Sequence, residues 1–397
     1  MKILYLTSRF PYPPLKGDQL RDLKQIELLS KSHNITLVSF YYPGTTQDQF
    51  DYIKQWCQLV AVPWGRREGY YNLCMSLFSR HPFQVNLFMS HVMRNKINTL
   101  LDNNSYDIIH VHLARMTEYV KHITNIPKVA DLMDAFSLNM KNRSKRDRFP
   151  YNFVSKLEAK RMEQYERYIC KIYDKIIVVS ERDKYSLQNL ENVAVIPLGV
   201  DINENLQANF EGSGIIFTGN MGYFPNQDAA YWFATEIFPL VLKEVPDSIL
   251  YIVGNNPRNK ILKLQSPQIV VTGYVDSIRK HISRATVAIA PLRAGSGMQI
   301  KVLEAMSVGC PVVATTYAAE GLNYAVSGKD LLLADCNPVD FAQKVVSVLK
   351  DKKLGKKISS SALELVRDNY SWKPCVKSLE EVYKAAITEF KYKGAQP

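Results

Sequence analysis

Scaffolding residues are scarce in this 397-residue chain. Its six cysteines, Cys57, Cys74, Cys170, Cys310, Cys336 and Cys375, are scattered with no metal-ligand spacing. That excludes a disulfide framework or a zinc motif as the organising element and implies reduced thiols in a reducing compartment. No stretch approaches the roughly 20 uninterrupted apolar residues of a membrane span. The opening segment MKILYLTSRF meets charge too early for a signal peptide, so it reads as a first strand. Internal repeats and low-complexity segments are absent. Together these absences place the chain in the cytoplasm. Acidic residues are also short, 38 against 50 basic ones, for a net charge of +12. The deficit is uneven: residues 1–200 carry 28 basic and 19 acidic residues, residues 201–397 carry 22 and 19. A basic excess in one half points to an anionic partner met by that half.

What is present is an ordinary soluble composition, 46% hydrophobic and 22% charged, in a length that predicts two domains. Short apolar runs recur at 3–6, 35–40, 59–62, 108–111 and 176–180. They restart at 215–217, 249–253, 269–272, 287–290, 312–314 and 331–333. Near-continuous apolar strands belong to parallel sheets covered on both faces. Helical patterns lie between them, at 18–30, 153–172, 226–245, 299–308 and 338–350, and a last one at 372–391 has Leu379, Val382, Tyr383 and Ala386 at helical spacing. The alternation predicts an α/β chain. Residues 201–213 are polar and aperiodic and read as a linker. The domains are then 1–200 and 214–370, with 371–397 as a closing helix that crosses back to the first. Ligands of such sheets bind beyond the carboxyl ends of the strands.

The richest strand end is 287–314, VAIAPLRAGSGMQIKVLEAMSVGCPVVA. A strand stops at Pro291, the turn Gly295-Ser296-Gly297 follows, and a helix opens near Met298. Glycines admit close backbone approach, and a helix N-terminus offers free N–H groups and partial positive charge. This suits a diphosphate. Lys301 and Glu304, three apart, share a helix face. The lysine would neutralise phosphate and the carboxylate would accept from ribose hydroxyls. The plainer alternative is an ordinary strand-turn-helix unit with an exposed ion pair.

This stretch resembles the donor-site signature of the retaining glycosyltransferases with the GT-B fold, the fourth family of the usual sequence classification. The matching residues are Gly297, Leu303-Glu304-Ala305-Met306 and Gly309-Cys310-Pro311-Val312-Val313-Ala314. Ile196-Pro197-Leu198-Gly199-Val200-Asp201, Phe217-Thr218-Gly219, Thr272-Gly273-Tyr274-Val275, and Pro13-Pro14 with Gly17 extend the likeness along the chain. The resemblance implies two Rossmann-like domains with parallel sheets facing a central cleft, a nucleoside diphosphate-sugar donor on the second domain, retention of anomeric configuration, and neither cofactor nor metal. It makes Gly17, Gly219, Asn220, Arg293, Gly295, Ser296, Gly297, Met298, Lys301 and Glu304 donor-binding candidates. Two positions depart from the pattern. Ser296 stands where many members have a glutamate, and Asn220-Met221-Gly222 stands where many have Arg and Lys on the diphosphate, which leaves Arg293 and Lys301 as the cations. The glycine-serine-glycine loop with its lysine resembles a subgroup of polysaccharide and surface-glycan systems.

In the first half, His110 and His112 face one way at the end of a strand. The resemblance places a histidine there near the sugar, which makes His112, with Lys301, a catalytic candidate. Arg115 and Asp134 are acceptor-side candidates, with helix capping the alternative for Asp134. Asp131 ends the same strand as Asp134 and shares its acceptor reading. Five basic residues in 141–148, KNRSKRDR, suggest either a solvated loop or contact with an anionic membrane or a lipid-linked acceptor. Nucleic acid is not implied, since no stacking pattern accompanies the charge. Two other classes stay open: a nucleotide-sugar epimerase of the non-hydrolysing GT-B type, and a non-catalytic sugar-binding relative.

Overall fold

A computed structural model describes residues 1–76, 79–145, 149–188, 190–202, 208, 210–293 and 298–394. The chain divides into two compact units, one of Met1–Pro197 with Cys375–Pro397, the other of Leu198–Pro374. Each is built on one sheet of parallel strands, so the fold is α/β of the GT-B type.

The first unit carries β1 (Lys2–Thr7), β2 (Asn34–Tyr41), β3 (Gln58–Pro63), β4 (Ile108–His112), β5 (Lys128–Met133), β6 (Lys175–Val178) and β7 (Val193–Val195). They lie in the order β3-β2-β1-β4-β5-β6-β7, with Tyr5 beside His110 and His112 beside Asp131. Successive side chains of a strand point to opposite faces, and both faces are apolar. Leu4, Leu6, Ile109 and Val111 enter one core, and Ile3, Tyr5, Ile108 and Val129 enter the other. This second core is completed by Cys375, Val376, Leu379, Tyr383 and Ala386 of the Trp372–Gly394 helix. The helix thus spends its apolar stripe on the first sheet.

The second unit carries β8 (Gly214–Thr218), β9 (Ile249–Val253), β10 (Ile269–Gly273), β11 (Val287–Ala290), β12 (Val312–Thr315) and β13 (Leu332–Ala334), ordered β10-β9-β8-β11-β12-β13. Both orders reverse once, between β1 and β4 and between β8 and β11. The crossover helices diverge at such a point and leave a crevice past the carboxyl ends of the two strands.

Charge is buried beneath the first crevice. The Gly17–Leu29 helix turns Arg21, Asp22 and Gln25 towards the sheet together with Ile26 and Leu29. Arg21 Nε lies 2.7 Å from Asp131 Oδ2, and its Nη1 donates to the Ile196 and Pro197 carbonyls at 3.3 and 3.1 Å. Burial raises the Asp131 carboxyl, but the charges of Arg21 and His112 outweigh it and hold the group below its ordinary range. Removing one member of a buried pair strands the other. Arg21→Ala should therefore cost about 3–5 kcal/mol, whereas the double replacement Arg21→Met with Asp131→Leu should recover much of that. Urea unfolding of the three variants against the parent reads both effects.

Candidate functional site

The carboxyl ends of β1, β4 and β5 surround a cavity of about 290 Å³ in the first unit. Arg9 follows β1, Gly17 and Asp18 open the next helix, Leu113 to Arg115 follow β4, and Met133 and Asp134 follow β5. Leu113 and Met133 turn the strand ends at φ 68° and 61°. That conformation is sparsely populated by branched or bulky side chains and is retained where the surroundings impose it. Here the imposing bonds are Leu113 N to Asp131 O and Val179 N to Met133 O, both 2.7 Å. Three residues singled out in the sequence, Gly17, Arg115 and Asp134, come together on this wall. Arg9, Asp18 and Glu166 join them and carry no local sequence signal. A larger cavity of about 460 Å³ lies among Lys2, Asn34 and Gln58, at the amino ends of β1–β3. It is at the wrong end of the sheet for the crevice rule.

The cavity's charges are mutually perturbed. Burial raises Asp18, but Arg9, His112 and Arg115 outweigh it and hold the carboxyl low. Asp134 is pushed up to about 6 by burial and by the Asp183 carboxylate. Glu166 is pushed up to about 7 by burial, against two bonds from Ser137. Arg115 is lowered to about 10 by burial and by Arg9. Asp134 does not cap a helix: the Phe136–Ser144 helix begins after Ala135, and Asp134 accepts from Asn139 instead.

Two first-unit expectations change. Asp131 is wholly buried on Arg21 and takes no acceptor role. His112 is also wholly buried, with Nδ1 2.6 Å from Asp22 Oδ1 and Nε2 without a partner among the described residues. Asp22 in turn accepts from Tyr5 and Thr7 at 2.8 and 2.7 Å. Burial lowers the imidazole, but Asp22 and Asp131 outweigh it and raise the group above its ordinary value. His112 thus lies sealed beside Asp22 beneath the Leu113 turn, and no sugar-facing surface of the ring is exposed in the unit. His110 is a different case. Burial takes it down to about 3, and it is a neutral ring stacked on Tyr5 and bonded to Tyr383.

In the second unit Gly219 ends β8 and Gly254 ends β9. A side chain on Gly254, at φ 140°, would stand 1.9 Å from the Gly219 carbonyl oxygen, so only glycine permits this approach. The chain then turns through Asn220, whose Oδ1 accepts from Gly222 N at 2.8 Å. Asn226 binds both sides of the crevice. Its Nδ2 donates to the Asn220 carbonyl at 3.0 Å, and its Oδ1 accepts from Lys301 Nζ at 2.5 Å. Lys301 rises from the helix Ile300–Ser307, which opens at Ile300, two residues past Met298. It lies 5.0 Å over the Phe217 ring and makes no ion pair among the described residues. Burial lowers it to about 7, with Glu304 pulling the other way. Burial likewise raises Glu304, opposed by Arg279 and Lys301. Both are half-buried, so the exposed ion pair considered for them is not what forms. Arg293 is committed elsewhere, held by Asp228 at 2.8 and 3.1 Å and stacked over Trp232, which leaves Lys301 as the cation of the set. The turn Gly295, Ser296 and Gly297 lies outside the described residues.

Comparison with known proteins agrees with this architecture. Residues 26–204 match the family model described as Glycosyltransferase Family 4, and residues 212–351 match the one described as Glycosyl transferases group 1. An uncharacterized 44.6 kDa protein in the cps region of Klebsiella pneumoniae is 23% identical over 95% of this chain and 98% of its own. Sucrose-phosphate synthase from Thermosynechococcus elongatus superposes with a TM-score of 0.69 at 13% identity, over 98% of this chain and 100% of its own. HepE of Anabaena, solved in complex with UDP and glucose, does so with a TM-score of 0.66 at 13% identity, over 97% and 100%. The chain is a glycosyltransferase. Its fold is the GT-B fold of the structures it superposes on.

With burial lowering Lys301 to about 7, its charge is progressively lost as pH rises above neutrality. Affinity for a nucleoside diphosphate, itself fully ionised above pH 7, should therefore fall as pH rises from 7 to 9. Calorimetric titration across that range checks it, and Lys301→Ala should flatten the dependence.

Proposed function

We propose that this glycosyltransferase moves a sugar from a nucleoside diphosphate-sugar to a glycan or lipid-linked acceptor, with retention of configuration, in the synthesis of a polysaccharide or surface glycan. The observation that carries this reading is Lys301, a half-buried cation on an amide oxygen at the carboxyl end of the second sheet. Breaking the bond from the anomeric carbon to a diphosphate leaves negative charge on the leaving oxygen, and a cation fixed in a low-dielectric setting stabilises that charge as it develops. Lys301 takes this role and Glu304 the ribose hydroxyls. Gly219 and Asn220 let the ligand approach the sheet end closely. No metal or cofactor is assigned to the step. The UDP and glucose held by HepE, and the cps region of the Klebsiella relative, support the donor class and the biosynthetic setting.

The basic first unit adds an anionic membrane surface as a partner. Phe149 and Phe153 are 84% and 66% exposed beside Tyr151, at the start of the Tyr151–Ile172 helix, and exposed Lys141 and Lys145 precede them in the chain. Arg146, Asp147 and Arg148 lie outside the described residues. Exposed rings and lysines in one stretch of chain suit a headgroup layer, where each basic residue contributes about 1 kcal/mol. The enzyme is then cytoplasmic and peripheral at the inner face of the membrane.

Two outcomes are expected. Glu304→Ala should weaken nucleoside diphosphate binding about tenfold, the loss of charged hydrogen bonds to ribose, and an unchanged dissociation constant would remove Glu304 from the site. The parent should sediment with anionic vesicles at low salt and release as salt rises. Replacing Lys141, Lys145, Phe149 and Phe153 should abolish sedimentation, and indifference of the parent to anionic lipid would sink the membrane reading.

A further inference from the structure

The cavity of the first unit holds positive charge that its own carboxylates do not pair directly. Asp18 is paired with Arg9. Glu166 accepts from Ser137 N at 3.1 Å and from the Ser137 hydroxyl. Asp134 accepts from Asn139. Arg115, half-buried on the wall with its guanidinium 4.8 Å over the Phe88 ring, makes no hydrogen bond or ion pair among the described residues. Exposed Lys16, immediately before the Gly17–Leu29 helix, makes none either. The two cations feel one another: Arg9 first, then burial, then Arg115 hold the Lys16 ammonium below its ordinary value. The helix itself opens on the cavity through Gly17 and Asp18 with no side-chain cap on its first amides, so its positive end adds to the same field.

A half-buried guanidinium on a cavity wall, with no hydrogen bond or ion pair among the described residues, has five donors to offer a ligand, and its planar fork matches a carboxylate or a phosphate. The remaining wall is apolar, from Val85, Leu132 and Met162. The volume lies near the lower end of the roughly 300–1,000 Å³ typical of small-molecule sites. We propose that this cavity binds an acidic sugar unit of the acceptor, bearing a carboxylate or a phosphate, with Arg115 and Lys16 holding the anion and Asp134 accepting from a sugar hydroxyl. The word acceptor rests on the transferase reading above, whereas the anion site stands on the cavity alone. A neutral sugar would leave the fork of Arg115 without an anion.

The test is titration of the full-length chain, followed by ligand-observed NMR, with glucuronate, glucose 6-phosphate, glucose, inorganic phosphate and a panel of nucleoside diphosphates. At least one acidic sugar should bind about tenfold more tightly than glucose, the worth of one charge-assisted pairing. Whether glucuronate or glucose 6-phosphate leads identifies the anion. Arg115→Gln should abolish the preference and leave nucleoside diphosphate affinity unchanged. Arg115→Lys keeps the charge without the fork and should retain part of the preference. Lys16→Ala, at an exposed site, should weaken the acidic sugar without lowering the melting temperature, so the test survives if Arg115→Gln fails to fold. The proposal is overturned if glucose binds as tightly as both acidic sugars, or if inorganic phosphate matches glucose 6-phosphate. It is also overturned if neither Arg115→Lys nor Lys16→Ala alters acidic-sugar binding, or if nucleoside diphosphates displace the acidic sugar and lose affinity in Arg115→Gln, which would make the cavity a donor site. Acidic-sugar binding that depends on Arg115 in a chain that binds no nucleoside diphosphate would leave the anion site standing and defeat the transferase reading.

Discussion

Arg21 and Asp22 are adjacent on one helix and both are buried, each held by different strand ends. Arg21 reaches Asp131 at the end of β5, and Asp22 reaches His112 at the end of β4 and Tyr5 and Thr7 on β1. Taking these charges out of water is expensive, and only near-ideal partners offset the cost. A shift of the helix by one residue would strand both charges. The pair therefore sets the register between the Gly17–Leu29 helix and the ends of three strands, and these ends carry Leu113, Arg115, Met133 and Asp134. The Trp372–Gly394 helix adds the bond from Tyr383 to His110, on the same network.

The second unit positions its cation by other means. Gly254 and Gly219 bring two strand ends into a contact that no side chain would allow, and Asn226 spans from the resulting turn to Lys301. An amide suits that task. It donates to the fixed carbonyl of Asn220 and accepts from the ammonium without neutralising it, so the positive charge remains available. A carboxylate at the same place would neutralise the charge.

Much of the fold was legible because parallel strands covered on both faces are apolar at nearly every position. The runs at 3–6, 108–111, 249–253 and 287–290 lie inside strands with those bounds or a residue or so more. The short strand β7 (Val193–Val195) was not legible, since three residues carry no period. The linker reading of 201–213 ran past a boundary that falls at Pro197, because Val200 is drawn into the second unit by a backbone bond to Tyr370 that no local pattern announces. Gly17, Arg115 and Asp134, legible because they follow strand ends, line the first-unit cavity. Asn226 was not legible, since a polar residue near a helix start usually faces water. Asp22 left a faint trace: with Ile26 and Leu29 it lies on the stripe that faces the sheet, an acid where an apolar residue belongs.

The sequence by itself determined the layers, the number of sheets, and which strand ends could bear chemistry, because periodicity and punctuation are local properties written residue by residue. Tertiary structure decided which charges are free to act. Arg293 and Lys301 look alike as cations near one glycine turn, yet Asp228, 65 residues away, pairs with the first, and the second donates to an amide oxygen, with no ion pair among the described residues. His112 and Arg115 lie three apart, yet one is sealed beneath the sheet end and the other stands on a cavity wall. Burial and pairing depend on what the rest of the chain brings alongside, and the electrostatic energy of a charge is set by those neighbours rather than by its own position in the sequence.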